Sequence, residues 1–160
     1  MALDPTARKA NLKDSIKKYF LETISDVDGI TVSFDTSART PKLAGQPKDI
    51  TQWISIDMGS INIEDWSEMR LMIYCCTRKD YEGFRLAQLR DKVVGYLTGN
   101  SLGYNDGMGR IPFYRSYSDQ AWVVIGGIVV LNINESDEMT APDETKYIML
   151  TCRLGYASKI

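Results

Sequence analysis

The stretch Met69 to Thr77, with Leu71-Met72-Ile73-Tyr74-Cys75-Cys76 at its heart, constrains the fold more than any other part of the chain. An extended backbone turns successive side chains to opposite faces, so a strand with this sequence is apolar on both. Such a strand needs cover above and below and belongs at the centre of a sheet. The rest of the chain must therefore supply its neighbours.

Candidate neighbours are easily found. Trp53 to Met58 alternates, with Ile54, Ile56 and Met58 on one face and Trp53, Ser55 and Asp57 on the other, and Gly59-Ser60 is expected to break it. Ile30 to Phe34 forms a short strand after Gly29. Ala121 to Ile133 is too rich in Val and Ile to favour a helix, and its Gly126-Gly127 pair marks a bulge or bend. Lys146 to Leu154 sets Ile148, Leu150, Cys152 and Leu154 against Tyr147, Met149, Thr151 and Arg153. These last two strands flank an acidic turn, Asn134 to Glu144, as a large antiparallel hairpin.

Two segments have helical spacing instead. Asp4-Pro5 is a plausible helix start, and Leu12, Ile16, Tyr19, Phe20, Ile24 and Val27 form an apolar stripe on a helix from 5 to about 25. Lys9, Lys13, Lys17, Lys18 and Glu22 fall on its solvated face. Asp80 offers an N-cap for a second helix, 81 to 97, with Leu86, Leu89, Val93, Tyr96 and Leu97 as its stripe. Residues 35 to 50 and 98 to 119 are rich in turn formers and are expected to be long loops. The expectation is a single α+β domain over 1–160, a mixed, mostly antiparallel sheet with two main helices packed on it.

Composition narrows the function. With 44% hydrophobic and 25% charged residues and five prolines, the chain has the make-up of a globular domain. A net charge of −2 and the lack of a dense Lys/Arg run argue against a nucleic-acid module. No stretch reaches the ~18 apolar residues of a membrane helix, and the N-terminus lacks a signal-peptide layout, so a soluble intracellular protein is expected. Three cysteines make no even disulfide framework, and Cys75 and Cys76 point to opposite faces of one strand, poorly placed to share a metal.

Catalytic chemistry finds little support. The chain has no histidine, which removes the commonest general base and a common metal ligand. Glu135 to Glu138 with Asp143 and Glu144 lacks the glycine and spacing of a calcium loop, and Gly103 to Arg110 lacks the Lys-Ser/Thr of a phosphate loop. Glu64, Asp65 and Glu68 are expected to be surface charges. No catalytic residue, cofactor or metal is expected. What remains is Tyr104, Met108, Arg110, Phe113, Tyr114, Arg115 and Tyr117 in the 98 to 119 segment, residue types enriched at protein interfaces. An assembly surface is expected there, with a loop folded onto its own core as the alternative.

Trp53-Ile54-Ser55-Ile56 is followed by Leu71 to Thr77 running into Arg78-Lys79-Asp80-Tyr81-Glu82-Gly83 and then by the helix with Leu86, Leu89 and Val93. With these segments in place, the order of elements resembles that of the tail-terminator proteins of long-tailed, non-contractile bacteriophages. The resemblance implies a virion protein, assembled in the host cytoplasm. It would form a ring homo-oligomer, a hexamer, that caps the tail tube, stops its polymerisation and joins it to the head connector. Its partners would be itself, the tail tube protein and a head-completion or connector protein, with no membrane. A monomer or weak associate that closes into a ring at the tube end is expected. Another neck, tail-completion or tube protein is the alternative, and a small histidine-free enzyme a distant one.

Overall fold

The computed structural model describes residues 9–34, 50–98, 110–115, 123–141 and 144–157. Along the chain they form α1 (Lys9–Phe20), a π-helical turn (Leu21–Ser25), β1 (Thr31–Phe34), β2 (Gln52–Asn62), β3 (Trp66–Thr77) and α2 (Phe84–Thr98). β4 (Arg110–Arg115), β5 (Val123–Glu135), β6 (Met139–Thr140) and β7 (Lys146–Ala157) follow. Among the described residues the seven strands make one sheet in the order β1-β2-β3-β7-β5-β4, with β6 also on β7. The β1–β2 pair is parallel and the other pairs are antiparallel. The protein is an α+β domain.

β3 lies between β2 and β7, as its two apolar faces require. One face carries Leu71, Ile73 and Cys75, which join Ile54 and Ile56 of β2 and Leu150, Cys152 and Leu154 of β7 in the main core beneath the helices. Leu12, Ile16 and Phe20 of α1 and Leu86, Leu89, Val93 and Leu97 of α2 complete it. On the opposite face Trp53 and Cys76, register partners on β2 and β3, form a small second cluster flanked by Ile50, Tyr74 and Tyr147. The thiols of Cys75 and Cys76 thus lie on opposite faces, each fully buried.

α1 buries Asn11, Leu12, Ser15, Ile16, Tyr19 and Phe20, a repeat at one and three residues that keeps a single stripe inward. The helix then widens by one residue per turn, Asp26 N–H donating to Leu21 O at 2.8 Å, which keeps Ile24 in the core. Gly29, at φ 68°, reverses the chain into β1. The helices touch through the Tyr19 hydroxyl, which donates to Tyr96 O at 2.7 Å.

Two expectations need correction. Gly59-Ser60 does not end the strand: β2 runs on to Asn62, and the register with β3 skips between Met58 and Ile61. A bulge absorbs the glycine there, because a Cβ at Gly59 would sit 2.9 Å from the Arg70 carbonyl oxygen. Residues 110–115, expected within a loop, are strand β4 on β5. Pro112 is compatible with this because β4 is an edge strand. The skip between Phe113 and Tyr114 leaves Ile125 unmatched beside Gly126-Gly127, where a bulge was expected. The rest of the 35–50 and 98–119 segments, apart from Ile50 and Thr98, lies outside the described residues.

Candidate assembly surfaces

β4 sorts the predicted contact residues by its alternation. Ile111 and Phe113 point inward, each 1% exposed, and the Phe113 ring meets Tyr156 edge-on at 5.5 Å between centroids. Phe113 therefore belongs to the subunit's own core and has no surface to place in a neighbour's pocket. Arg110 is exposed and Tyr114 half-buried on the other side of the strand. The Tyr114 ring lies under Lys18 Nζ at 5.4 Å, and its backbone N–H donates to Ser15 Oγ at 2.8 Å. Arg115 pairs in register with Val123 at the end of β4, while Tyr104, Met108 and Tyr117 lie outside the described residues.

Besides Leu21, Val27 and Val124, exposed large apolar side chains occur in pairs at two turns that the sequence reading did not assign to a contact. Between β2 and β3, Ile63 is 79% and Trp66 46% exposed, and they enclose exposed Glu64 and Asp65. Buried Ser67 fixes this turn, its hydroxyl donating to Glu64 O at 3.0 Å and accepting from Glu64 N–H at 3.2 Å. The Trp66 indole lies across Gly155, where a Cβ would come within 2.6 Å of the ring. A side chain at 155 would push the indole off the sheet.

Between β3 and α2, Tyr81 is 85% and Phe84 68% exposed. Here the Asp80 carboxylate is the fixing group. Its Oδ2 accepts from Leu86 N–H at 2.8 Å and the Thr77 hydroxyl at 3.1 Å, its Oδ1 from Arg85 N–H at 3.4 Å, and the Arg85 guanidinium donates to Arg78 O. Burial pushes this carboxyl up, but those hydrogen bonds and the Arg85 charge outweigh it and hold the group below its ordinary range. Gly83 adopts φ 75°, and the Glu138 carboxylate packs where its Cβ would be. The signal for both turns was present: Ile63 and Trp66 flank carboxylates between two strands, and Phe84 falls out of phase with the Leu86, Leu89, Val93 stripe.

Beside Tyr81 a cleft of about 480 Å³ opens between this turn and the start of β7. Arg78, Lys79 and Asp80 line one side, Thr140, Glu144 and Lys146 the other. Lys79 (φ 55°) and Glu144 (φ 66°) both hold left-handed backbone, a strain of order 1 kcal/mol each that tends to gather at functional sites. Lys146 Nζ lies 3.3 Å from Glu138 Oε1. The Arg78 guanidinium stacks over Trp53 at 4.6 Å, and the buried Trp53 Nε1 has no hydrogen-bond partner among the described residues. On the same sheet face Arg70 and Arg153 are direct cross-strand neighbours, an unfavourable like-charge pair relieved by Glu68, 3.6 Å from Arg153.

Among the described residues no group of His, Cys, Asp or Glu is placed to hold a metal, and no helix is long and apolar enough to cross a membrane. The described residues form an α+β domain with exposed apolar side chains at two turns. No family model and no curated protein matches the chain. Seven solved chains match it in fold. One of them, whose designation describes no function, superposes with a TM-score of 0.53 at 8% identity, over 89% of this chain and 94% of its own. A likeness at that identity concerns the fold alone.

Proposed function

We propose that this chain is a structural subunit that acts by assembling with copies of itself into a ring. The particular role we assign it is that of a tail terminator of a long-tailed, non-contractile bacteriophage: a hexameric ring that caps the tail tube, halts its growth and receives the head connector. The observation that carries this reading is the placement of exposed large apolar side chains at the two ends of one sheet, Ile63 and Trp66 at one and Tyr81 and Phe84 at the other. A ring of identical subunits needs two different surfaces on each copy, since its contacts run head to tail. The order of helix, strand, hairpin, helix and terminal hairpin that first resembled the terminators supports the same reading.

The test is to add the purified protein to tail-tube subunits as they polymerise and to examine the products by electron microscopy. Tubes of limited length, each ended by one ring, are expected. Tubes that grow unchecked with no protein at their ends would refute the role, and incorporation along the tube would assign it to the tube proteins instead.

A further inference from the structure

The sheet face turned away from the helices holds a pocket of about 270 Å³ lined by Arg70, Asn132, Asn134, Thr151, Cys152 and Arg153. Its lining has two cations and no acid. Arg70 and Arg153 are register partners on β3 and β7, and Asn132 and Asn134 of β5 pair in turn with Arg153 and Thr151. A bulge places the asparagines there. The β5–β7 register skips between Val130 and Asn132, so Val130 lies in the core opposite Leu154 while Asn132, two positions on, faces the other way beside Arg153. On the other flank β2 sets the bulge residues Gly59 and Ser60 against Arg70, and Gly59 has no side chain to cover it. By register the charged groups on this face are Arg70, Arg110 and Arg153 against Glu68 and Asp57. Glu68 lies 3.6 Å from Arg153, and Asp57, 7% exposed, sits one row along beside Met72. Arg70 has no ion pair among the described residues. Asp65 and Glu64 stand beyond the start of β3, roughly 16–20 Å from Arg70 at about 3.3 Å a residue.

We propose that this pocket binds a phosphate-type oxyanion, either free or as the monoester of a small molecule. The site is independent of the ring reading. Like charges directly across a strand pair destabilise a sheet, and a dianion between Arg70 and Arg153 turns their repulsion into attraction for both. Each guanidinium presents N–H forks that fit phosphate oxygens, and the two asparagine amides and the Thr151 hydroxyl are neutral donors for the rest. A planar carboxylate, with one charge and two oxygens, uses fewer of these donors. A nucleic-acid backbone is a poorer occupant, since one arginine pair neutralises few phosphates. The donors stand on three hydrogen-bonded strands, so their spacing is set before the anion arrives and the ordering cost of binding is lowered.

The test is a titration of the full chain with inorganic phosphate at constant ionic strength, followed by thermal melts and by NMR of the arginine Nε–H and asparagine side-chain amide groups. Saturable shifts centred on Arg70, Arg153, Asn132 and Asn134 are expected, with a dissociation constant at or below about 10 mM and a thermal midpoint that rises with phosphate by mass action. Arg70→Gln should raise that constant about tenfold or more, yet leave the phosphate-free protein at least as stable as wild type, because the like-charge pair is gone. An arginine with a purely structural role would do the reverse. Acetate at the same ionic strength should bind about tenfold more weakly than phosphate, which carries nearly twice the charge. Shifts spread evenly over the surface cations, equal shifts with chloride alone, or unchanged binding in Arg70→Gln would overturn the proposal. Phenyl phosphate binding more tightly than inorganic phosphate would uphold it with a monoester as the occupant, and the opposite order would uphold it with the free ion. A short DNA duplex held more tightly than either, and released by Arg70→Gln, would overturn the small-molecule assignment in favour of a nucleic-acid backbone.

Discussion

Asp80 illustrates how much one side chain decides. Its carboxylate reaches past Tyr81, Glu82 and Gly83 to the first N–H groups of α2, so it fixes both the helix end and the exposed turn. Its folded pKa is lowered, so its contribution to stability is present above the unfolded carboxyl value near 3.9 and is lost as pH falls through the folded value. Asp80→Asn should therefore flatten the acid limb of the stability curve in urea titrations between about pH 5 and pH 2. Asp80→Ala should cost about 1–2 kcal/mol at neutral pH, as for other lost caps. The sequence identifies Asp80 as a cap but places the helix directly behind it, because the intervening turn depends on Gly83 and Glu138, which meet only in the fold. The cysteines are legible in the same partial way. Alternation predicts that Cys75 and Cys76 diverge, whereas the depth of burial comes from packing. Burial, with the neighbouring Cys152, pushes Cys75 up to about 12, and burial alone does the same to Cys152. A thiol reagent at pH 8 should label almost none of the three cysteines in the native protein and all three in denaturant. Rapid native labelling at the unfolded-peptide rate would contradict the buried positions.

At the scale of elements, periodicity was readable wherever one face of a segment is buried. The stripes of α1 and α2 and the alternation of β2 and β7 follow directly from the residues, and so does the central place of β3, except that Val27, expected on the first stripe, lies beyond the π-helical turn and is 73% exposed. β4 was hidden, because Pro112 and the surrounding glycines resemble a loop and its inward pair, Ile111 and Phe113, spans too few residues to show a period. β4 is also an edge, and α1 closes part of it: Ser15 Oγ accepts the Tyr114 N–H at 2.8 Å and donates to Asn11 O at 2.7 Å. Capping an edge strand with a side chain withdraws one of its donors from pairing with another chain. Ser15→Ala should therefore cost about 1–3 kcal/mol, the penalty for leaving a buried donor unsatisfied, measured as a lower urea midpoint with an unchanged slope. Hydrogen exchange should quicken at Tyr114 more than at β3 if the damage is local to this edge. Uniform acceleration across the sheet would mean that α1 docks as one unit with the whole core.

Where exposed apolar side chains gather was the least legible property of the whole molecule, because a turn's place relative to the sheet is set only by the strand order. Ile63 and Tyr81 are separated by 18 positions in the chain, yet β3 carries them to opposite ends of the molecule. If both turns meet neighbouring copies in the proposed ring, Ile63→Asp and Tyr81→Asp should each lower the share of capped tubes when the variant is added to polymerising tail-tube subunits. Both positions are more than three-quarters exposed, so neither change should move the thermal midpoint of the isolated protein by more than a few degrees. Capping by both variants at the wild-type level would remove these two turns from the assembly surface and leave the remaining exposed apolar side chains, Leu21, Val27 and Val124 among them, to be tested in the same way.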